Sequence, residues 1–388
     1  MLRFFNFCTA FTLVSVLSVL VNRRLSNESI SRNDSSTDIL TGNNPDTTVV
    51  ILNWSRFHNV RKITSSICEN LLEDVVDGIV VWNNNPRQIA FSGFVNTTCP
   101  EQKLKIVNSP ENLYFQARYM ACAQAKTPYC FIQDDDFLVL PEIIRALAVR
   151  MKEASLPSIH LQPADEMLSS ELRTISVGPR IRTTFAWLGY GTIVTRMYAI
   201  EFLSLLDVLK LSVEEHQMAD NYFTILRNVI PERWFEPGIP LGGGQPFTVG
   251  FEGEERNNRH IIRAAELLDA ITSSSDYYHG LPYVNFSPHP IDNSISRAPC
   301  HGLSRLCVFE TSIKLLSDIG IESAMSAATE ILKLEKNRYQ QLGQAKKEHY
   351  LGFPPSSAVD GRYETAFRSP ESKCLHGLPR SMQLIRIF

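Results

Sequence analysis

Three consecutive carboxylates, Asp134-Asp135-Asp136, follow the apolar run Phe131-Ile132 after a single glutamine and stand directly before Phe137-Leu138-Val139-Leu140. Ionised groups in so apolar a setting need cationic partners or a bound cation. Along an extended chain, alternation sends Asp134 and Asp136 to one face and Asp135 to the other. Two acids on one face at the exit of a strand can hold a hard divalent ion together with a ligand's phosphates, which points to Mg²⁺- or Mn²⁺-dependent chemistry on a diphosphate. The competing reading is a strand-ending turn whose acids cap a helix beginning at Pro141. Three residues alone do not choose between them. The elements around them do.

The polar stretch 25–46 is rich in Ser, Asn and Asp, lacks aromatic residues and reads as a linker that cannot pack a core. Folded sequence begins at 48–52, an unbroken apolar strand of the kind buried on both faces of a parallel sheet. A turn at 53–59 leads to a helical pattern over 60–72, then a second buried strand at 78–82 ending in Asn83-Asn84-Asn85-Pro86. A short strand at 104–107, a helix at 112–125 and a strand at 129–133 deliver the acids. Strands alternating with helices predict an α/β fold with a mostly parallel central sheet flanked by helices. Ligands of such sheets bind beyond the carboxyl ends of the strands. The turn Asn53-Trp54-Ser55-Arg56, the asparagine turn and the aspartate triplet all fall on that edge, and this convergence favours the binding-site reading. Further on, helices are expected at 141–153, 197–209, 215–227, 257–271 and 321–350, and strands at 158–161, 180–184 and 191–194.

At 388 residues the chain can bury one large core or two smaller ones, and a formal charge of −3 gives no reason to expect nucleic acid as a partner. The uncharged stretch 4–21, between Arg3 and Arg23-Arg24, is moderately apolar and near the lower limit for spanning a bilayer. Its length and the lack of a small-x-small cleavage site favour a retained signal anchor over a cleaved secretory signal. Asn-x-Ser/Thr acceptors at Asn27, Asn33, Asn53, Asn96 and Asn285 agree with a secretory fate. Of eight cysteines, Cys8 lies in the apolar stretch; the remaining seven are an odd number, with Cys300 and Cys307 the most plausible local pair. No cysteine or histidine spacing suggests structural zinc.

The segments 49–59 (VVILNWSRFHN), 79–86 (IVVWNNNP) and 111–136 together resemble the donor half of GT-A-fold glycosyltransferases. The likeness is to the family-2 type and, among those, to the exostosin-like enzymes that use UDP-sugars. It extends over about residues 47–270, and its first half matches motif by motif. It implies a GT-A (nucleotide-diphospho-sugar transferase) fold divided into an anchor (1–24), a luminal stem (25–46), a donor-binding half (47–150), an acceptor half (151–297) and a C-terminal helical extension (298–388). Carried onto this chain, the resemblance puts Asn53, Arg56 and Asn83 around the nucleobase and Asp134, with Asp135, at the ribose or nucleotide. Asp136 and Asp134 become ligands of Mn²⁺ or Mg²⁺. Arg118, Arg256 and Arg259 are the cations available to the diphosphate, and Trp187, Gly189 and Tyr190 line the acceptor side. Asp220 is the catalytic carboxylate, although Ala219 stands where the family carries a glutamate. His260, His279 and His289 are candidates for a further metal ligand, and Gly242-Gly243-Gly244 reads as a loop that closes over the donor.

The implied activity is transfer of a sugar from a nucleotide-diphosphate donor, a UDP-sugar by the resemblance, to a glycan or glycoprotein acceptor. The implied setting is the Golgi or ER membrane, with a single-pass type II anchor and a luminal catalytic domain, or secretion if the signal is cleaved. Two alternatives stand beside it: a non-catalytic nucleotide- or sugar-binding protein of the same fold, and a metal-dependent phosphohydrolase or nucleotidyltransferase. The second lacks the spaced acid and histidine motifs such enzymes use.

Overall fold

The computed structural model describes residues 44–94, 97–244, 250–273, 280–288, 295–302, 306–316 and 326–370, with the backbone of 385–387. The expected anchor, nearly all of the stem, Asn27, Asn33, Asn96, Cys8, Cys374, His279 and His289 lie outside the described residues. No helix among the described residues is long and apolar enough to cross a membrane. Apart from Asn44, the described residues belong to one unit, Pro45–Pro370 with Gln383–Phe388.

The elements run β1 (Thr47–Asn53), α1 (Phe57–Asn70), β2 (Val76–Asn83), β3 (Leu104–Asn108), α2 (Gln116–Ala123), β4 (Tyr129–Gln133), β5 (Phe137–Leu138), α3 (Pro141–Ala154) and β6 (Ser158–Gln162). They continue with α4 (Ala164–Arg173), β7 (Ile175–Val177), β8 (Ile181–Thr183), β9 (Thr192–Thr195), α5 (Arg196–Val208), α6 (Val213–Gln217), α7 (Ala219–Leu226), β10 (Glu232–Phe235) and β11 (Ile239–Pro240). The chain closes with α8 (Phe251–Ser273), β12 (Ser296–Pro299), β13 (Val308–Thr311), α9 (Ile331–Leu342), α10 (Gln344–Gly352) and β14 (Ile385–Ile387).

Ten strands form one mixed sheet in the order β14-β13-β12-β10-β6-β9-β4-β1-β2-β3. Strands β3, β2, β1 and β4 are parallel neighbours, and β6, β10 and β12 are parallel to one another. Between the two groups β9 runs antiparallel to both β4 and β6. Strands from the expected donor half, the acceptor half and the C-terminal region therefore share one sheet. The region after residue 298, expected to be helical, supplies β13 and β14 as well as two helices. The short β-branched runs Val308–Thr311 and Ile385–Ile387 satisfy their backbone groups by pairing on the sheet edge.

Period-2 alternation divides the inner strands between two cores. Val50, Leu52, Val80, Trp82, Cys130 and Ile132 join the cluster under α2, α5, α7 and α8. Val49, Ile51, Ile79, Val81 and Phe131 join the cluster under α1 and α3. Burial on both faces is why these strands read as continuous apolar runs. Helix ends follow local chemistry. Pro141 opens α3, and Ser155, left-handed at φ 49°, ends it. Ser212 and Glu215 form a capping box on α6. The single helix expected over 215–227 breaks at Met218 into α6 and α7. Disulfides join Cys68 to Cys99, Cys122 to Cys130 and, as the spacing suggested, Cys300 to Cys307.

Candidate active site

Strands β1, β2, β4 and β6 end on one edge of the sheet, and β9, being antiparallel, begins there. A cleft of about 580 Å³ opens on that edge, within the roughly 300–1,000 Å³ typical of small-molecule sites. Asn53, Trp54 and Arg56 enter it from the end of β1, the three aspartates from β4, Asp165 and Glu166 from the start of α4, and Trp187, Gly189 and Tyr190 from the loop before β9. Asp220, from α7, forms part of its floor.

The acids are held by two arginines. Arg118, fully buried on α2, donates from Nη2 to Asp134 Oδ1 (2.6 Å) and from Nη1 to Asp220 Oδ2 (2.9 Å). Burial alone would lower the basicity of Arg118, but the charges of Asp134 and Asp220 raise it further, so it is a permanent cation. It is thus not itself in the lining and acts on the cleft through the two acids it bridges. Asp220 also accepts from the Tyr119 hydroxyl (2.9 Å) and is 1% exposed. Burial, partly offset by Arg118, pushes its carboxyl up to about 6.

Arg56, just before α1, donates from Nη1 to Asp135 Oδ1 at 2.7 Å and stands 3.9 Å from Asp136 Oδ2. Its remaining N–H groups donate to the carbonyls of Gly243 (3.2 Å) and Gly244 (3.1 Å). Asn59 donates to the carbonyls of Asp135 (2.8 Å) and Gly242 (3.0 Å). The glycine loop is therefore strapped to the acids by side chains of the first turn and helix. All three glycines have positive φ (70°, 106° and 110°), and a Cβ on Gly243 would lie 2.8 Å from Arg56 Cδ. The acids do not alternate strictly: the strand ends at Gln133 and the chain bends at Asp135-Asp136, turning both toward Arg56 while Asp134 faces Arg118.

Asp134 also depends on a glycine. Its backbone N–H donates to the Gly189 carbonyl (3.0 Å), and a Cβ at Gly189 would lie 2.3 Å from Asp134 Oδ2. Gly189, expected on the acceptor side, thus also makes the space in which Asp134 sits. Tyr190 packs its ring against Phe137 at 4.8 Å between centroids.

Asn83 corrects an expectation. It is fully buried, and Asn84 rather than Asn83 lines the cleft. In-register asparagines at the ends of β1, β2 and β3 form a ladder: Asn53 donates to Asn83 Oδ1 (2.6 Å) and Asn83 to Asn108 Oδ1 (2.8 Å). Asn83 also donates to the carbonyl of Arg87 (2.9 Å), so its capacity goes into shaping the turn. Arg259 is a second correction. It lies in the interior of α8, not at its start, is 60% exposed and donates to Glu214 (2.6 Å), outside the cleft lining. Arg256 is also absent from the lining. His260 is taken up by Tyr222 (2.9 Å) and Glu214 (3.3 Å) in the packing of α8.

The sequence reading passed over Asn112, Tyr114, Phe115, Asp165 and Glu166. Gln162-Pro163-Ala164-Asp165-Glu166 carries a usable signal: a buried strand followed by proline and two acids is a strand-to-helix junction, hence on the ligand-binding edge.

A divalent ion fits this donor set. Burial first, then the neighbouring Asp134 charge, pushes the Asp136 carboxyl up to about 7, and Arg56 at 3.9 Å only partly offsets the concentration of negative charge. Among the described residues no three or more His, Cys, Asp or Glu side chains cluster as a metal cage. One or two carboxylates completed by substrate phosphates and water is the pattern expected of Mg²⁺-type sites.

No protein-family model and no curated protein matches the chain. Among solved structures it is similar to a mannosyltransferase from Pyrobaculum calidifontis in complex with GDP-Man and Mn²⁺, at 13% identity over 69% of this chain and 75% of that one, with a TM-score of 0.40. It is similar to glucosyl-3-phosphoglycerate synthase from Mycobacterium tuberculosis in complex with Mn²⁺, UDP and glucosyl-3-phosphoglycerate, at 11% identity over 58% and 80% of the two chains, with a TM-score of 0.36. Residues 1–349 of S. aureus TarS align at 13% identity over 59% and 72%, with a TM-score of 0.32. The likenesses are remote.

Proposed function

We propose that this chain is a nucleotide-sugar-dependent transferase of the GT-A type. More particularly, it moves a hexosyl or N-acetylhexosaminyl group from a UDP-sugar to a glycan or glycoprotein acceptor. The observation that carries this reading is the aspartate triplet at the end of β4, opening into one cleft with the turn after β1 and the acid-bearing start of α4. That cleft offers an ion-binding edge for a diphosphate on one side and aromatic and carboxylate groups suited to a polyol on the other.

Asp136 and Asp134 would hold Mn²⁺ or Mg²⁺, which supplies charge to offset that left on the departing diphosphate. Arg118 fixes Asp134 from below, and Arg56 fixes Asp135 beside it. Trp54, 49% exposed at the cleft, and Trp187 present rings on which sugars can pack. The three disulfides among the described residues support a protein made in an oxidising compartment. With the apolar stretch 4–21 they favour a luminal domain on a type II anchor in the Golgi or ER.

A second reading is favoured by one observation. Both oxygens of Asp220 are already engaged, as they would be in a binding protein without turnover. Calorimetry with UDP, GDP and CMP, each with and without Mn²⁺, tests the first reading. One nucleotide binding only with metal is the expected result; no metal-dependent binding of any of them refutes it. Release of nucleotide from the matching sugar donor separates transferase from binding protein.

A further inference from the structure

We propose that Glu166 takes the proton from the acceptor hydroxyl, and that Asp220 is a positioning residue that holds Arg118 and, through it, Asp134. The assignment rests on the glycosyl-transfer reading above.

Asp220 is poorly placed to receive a proton. It accepts from Arg118 and Tyr119, each at 2.9 Å, and from the Leu188 N–H. Protonating it would strip Arg118, fully buried, of one of its two carboxylates and displace a donor already in place. Glu166 stands differently. It lines the same cleft, is half-buried, and among the described residues no donor lies within hydrogen-bond or ion-pair distance of its carboxylate. Tyr190 relates it to the triplet: the charges of Glu166, Asp165 and Asp136 all bear on the Tyr190 hydroxyl. The proposed base and the proposed metal ligand thus approach one aromatic side chain that lines the cleft.

A helix-start acid can also serve only to complement the helix dipole. Asp165, exposed beside it in the same turn, already does that. Among the described residues, the charged groups around Glu166 are few. From its own helix come Asp165 and Arg173, and from α9 comes Glu335, which takes up Arg173 at 2.8 Å. Burial outweighs Arg173, and with the two neighbouring acids it raises the Glu166 carboxyl to about 7, the range in which a general base works best at neutral pH.

In the step itself the acceptor O–H bond breaks and its proton passes to the Glu166 carboxylate. The freed electron pair forms the bond from the acceptor oxygen to the anomeric carbon. The bond from that carbon to the diphosphate breaks, and its electron pair leaves on the phosphate oxygen. A single displacement of this kind inverts the anomeric centre.

The test uses the full-length chain, Mn²⁺, and UDP-glucose, UDP-N-acetylglucosamine or GDP-mannose with water as acceptor, reading nucleotide release and, by calorimetry, donor affinity. Wild-type hydrolysis should rise with pH through about 7. Glu166→Gln should lower the rate about 100-fold or more, leave donor affinity unchanged and flatten the pH profile, and Glu166→Ala should regain rate with added formate. Asp220→Asn should instead weaken donor and Mn²⁺ binding while keeping the pH profile of whatever rate remains. The proposal is overturned if Glu166→Gln keeps the wild-type rate and pH profile, if it loses donor affinity along with rate, or if Asp220→Asn loses rate at unchanged affinity. It is overturned too if the wild-type chain binds donor and hydrolyses none. Failure to bind any nucleotide refutes instead the glycosyl-transfer reading beneath it, and the assignment with it.

Discussion

At the scale of single residues, the site depends on groups that hold its acids in place. Replacing Arg118 with methionine would leave Asp134 and Asp220 without their shared cation in a buried setting. The expected loss is about 3–5 kcal/mol of folding stability, measurable by urea unfolding, together with loss of Mn²⁺-dependent nucleotide binding. Gly189→Ala is a finer probe. Its methyl would fall 2.3 Å from Asp134 Oδ2, so either Asp134 moves or the loop before β9 shifts. A destabilisation of about 1–3 kcal/mol is expected, with a disproportionate fall in donor affinity by calorimetry. An unchanged affinity would show that Asp134 is not needed at the nucleotide.

At the scale of elements, strand ends are shaped before they bind. Asn83→Ala removes the middle rung of the asparagine ladder, leaves Asn53 Nδ2 without its acceptor and leaves Asn108 Oδ1 with the Ile89 N–H alone. A loss of about 1–3 kcal/mol is expected, with the turn at 84–87 disordered in hydrogen exchange. A second clasp ties the segment after β12 to the end of β10: His301 and Glu236 meet at 2.7 Å, with Glu236 2% exposed. The hydrogen bond to Glu236 raises the imidazole above its ordinary range despite burial. Its stabilisation is therefore complete below the unfolded value of about 6.5 and fades as pH rises through the folded one. His301→Ala should lower stability by about 1.5–3 kcal/mol at pH 6 and distinctly less at pH 9, read from Tm at the two values. These elements also show what was legible in advance. Strands β1, β2 and β4 declared themselves because burial on both faces makes them unbroken apolar runs, and the acids stood out against them. Asn83 and Asn53 looked alike from sequence, since nothing local tells an asparagine that lines a cleft from one that pairs with the neighbouring strand. Glu166 was overlooked because its place depends on β6 ending on the same sheet edge as β4, with β9 between them, a fact of topology. Arg259 misled because the start of α8 lies several residues earlier than its apolar pattern suggested.

At the scale of the molecule, the three disulfides among the described residues reinforce a sheet whose strands come from distant parts of the chain. The Cys68–Cys99 bridge closes 31 residues around β2, against 7 for Cys300–Cys307. Paired serine replacement of the first should lower stability by about 2–4 kcal/mol, more than replacement of the second, on loop-closure grounds. Urea unfolding of the two variants would check the order. Strand β9, antiparallel between β4 and β6, has a consequence for what the cleft can accept. It sets β4, which leads into the triplet, and β6, which leads into the helix of Glu166, two ladder spacings apart, about 10 Å, and backbone hydrogen bonds on both sides fix that distance. The sheet then works as a calliper with a locked jaw. On the proposed transferase reading, a change in the group transferred would come from the loops between the ends of β4 and β6, while the separation of those ends stays the same.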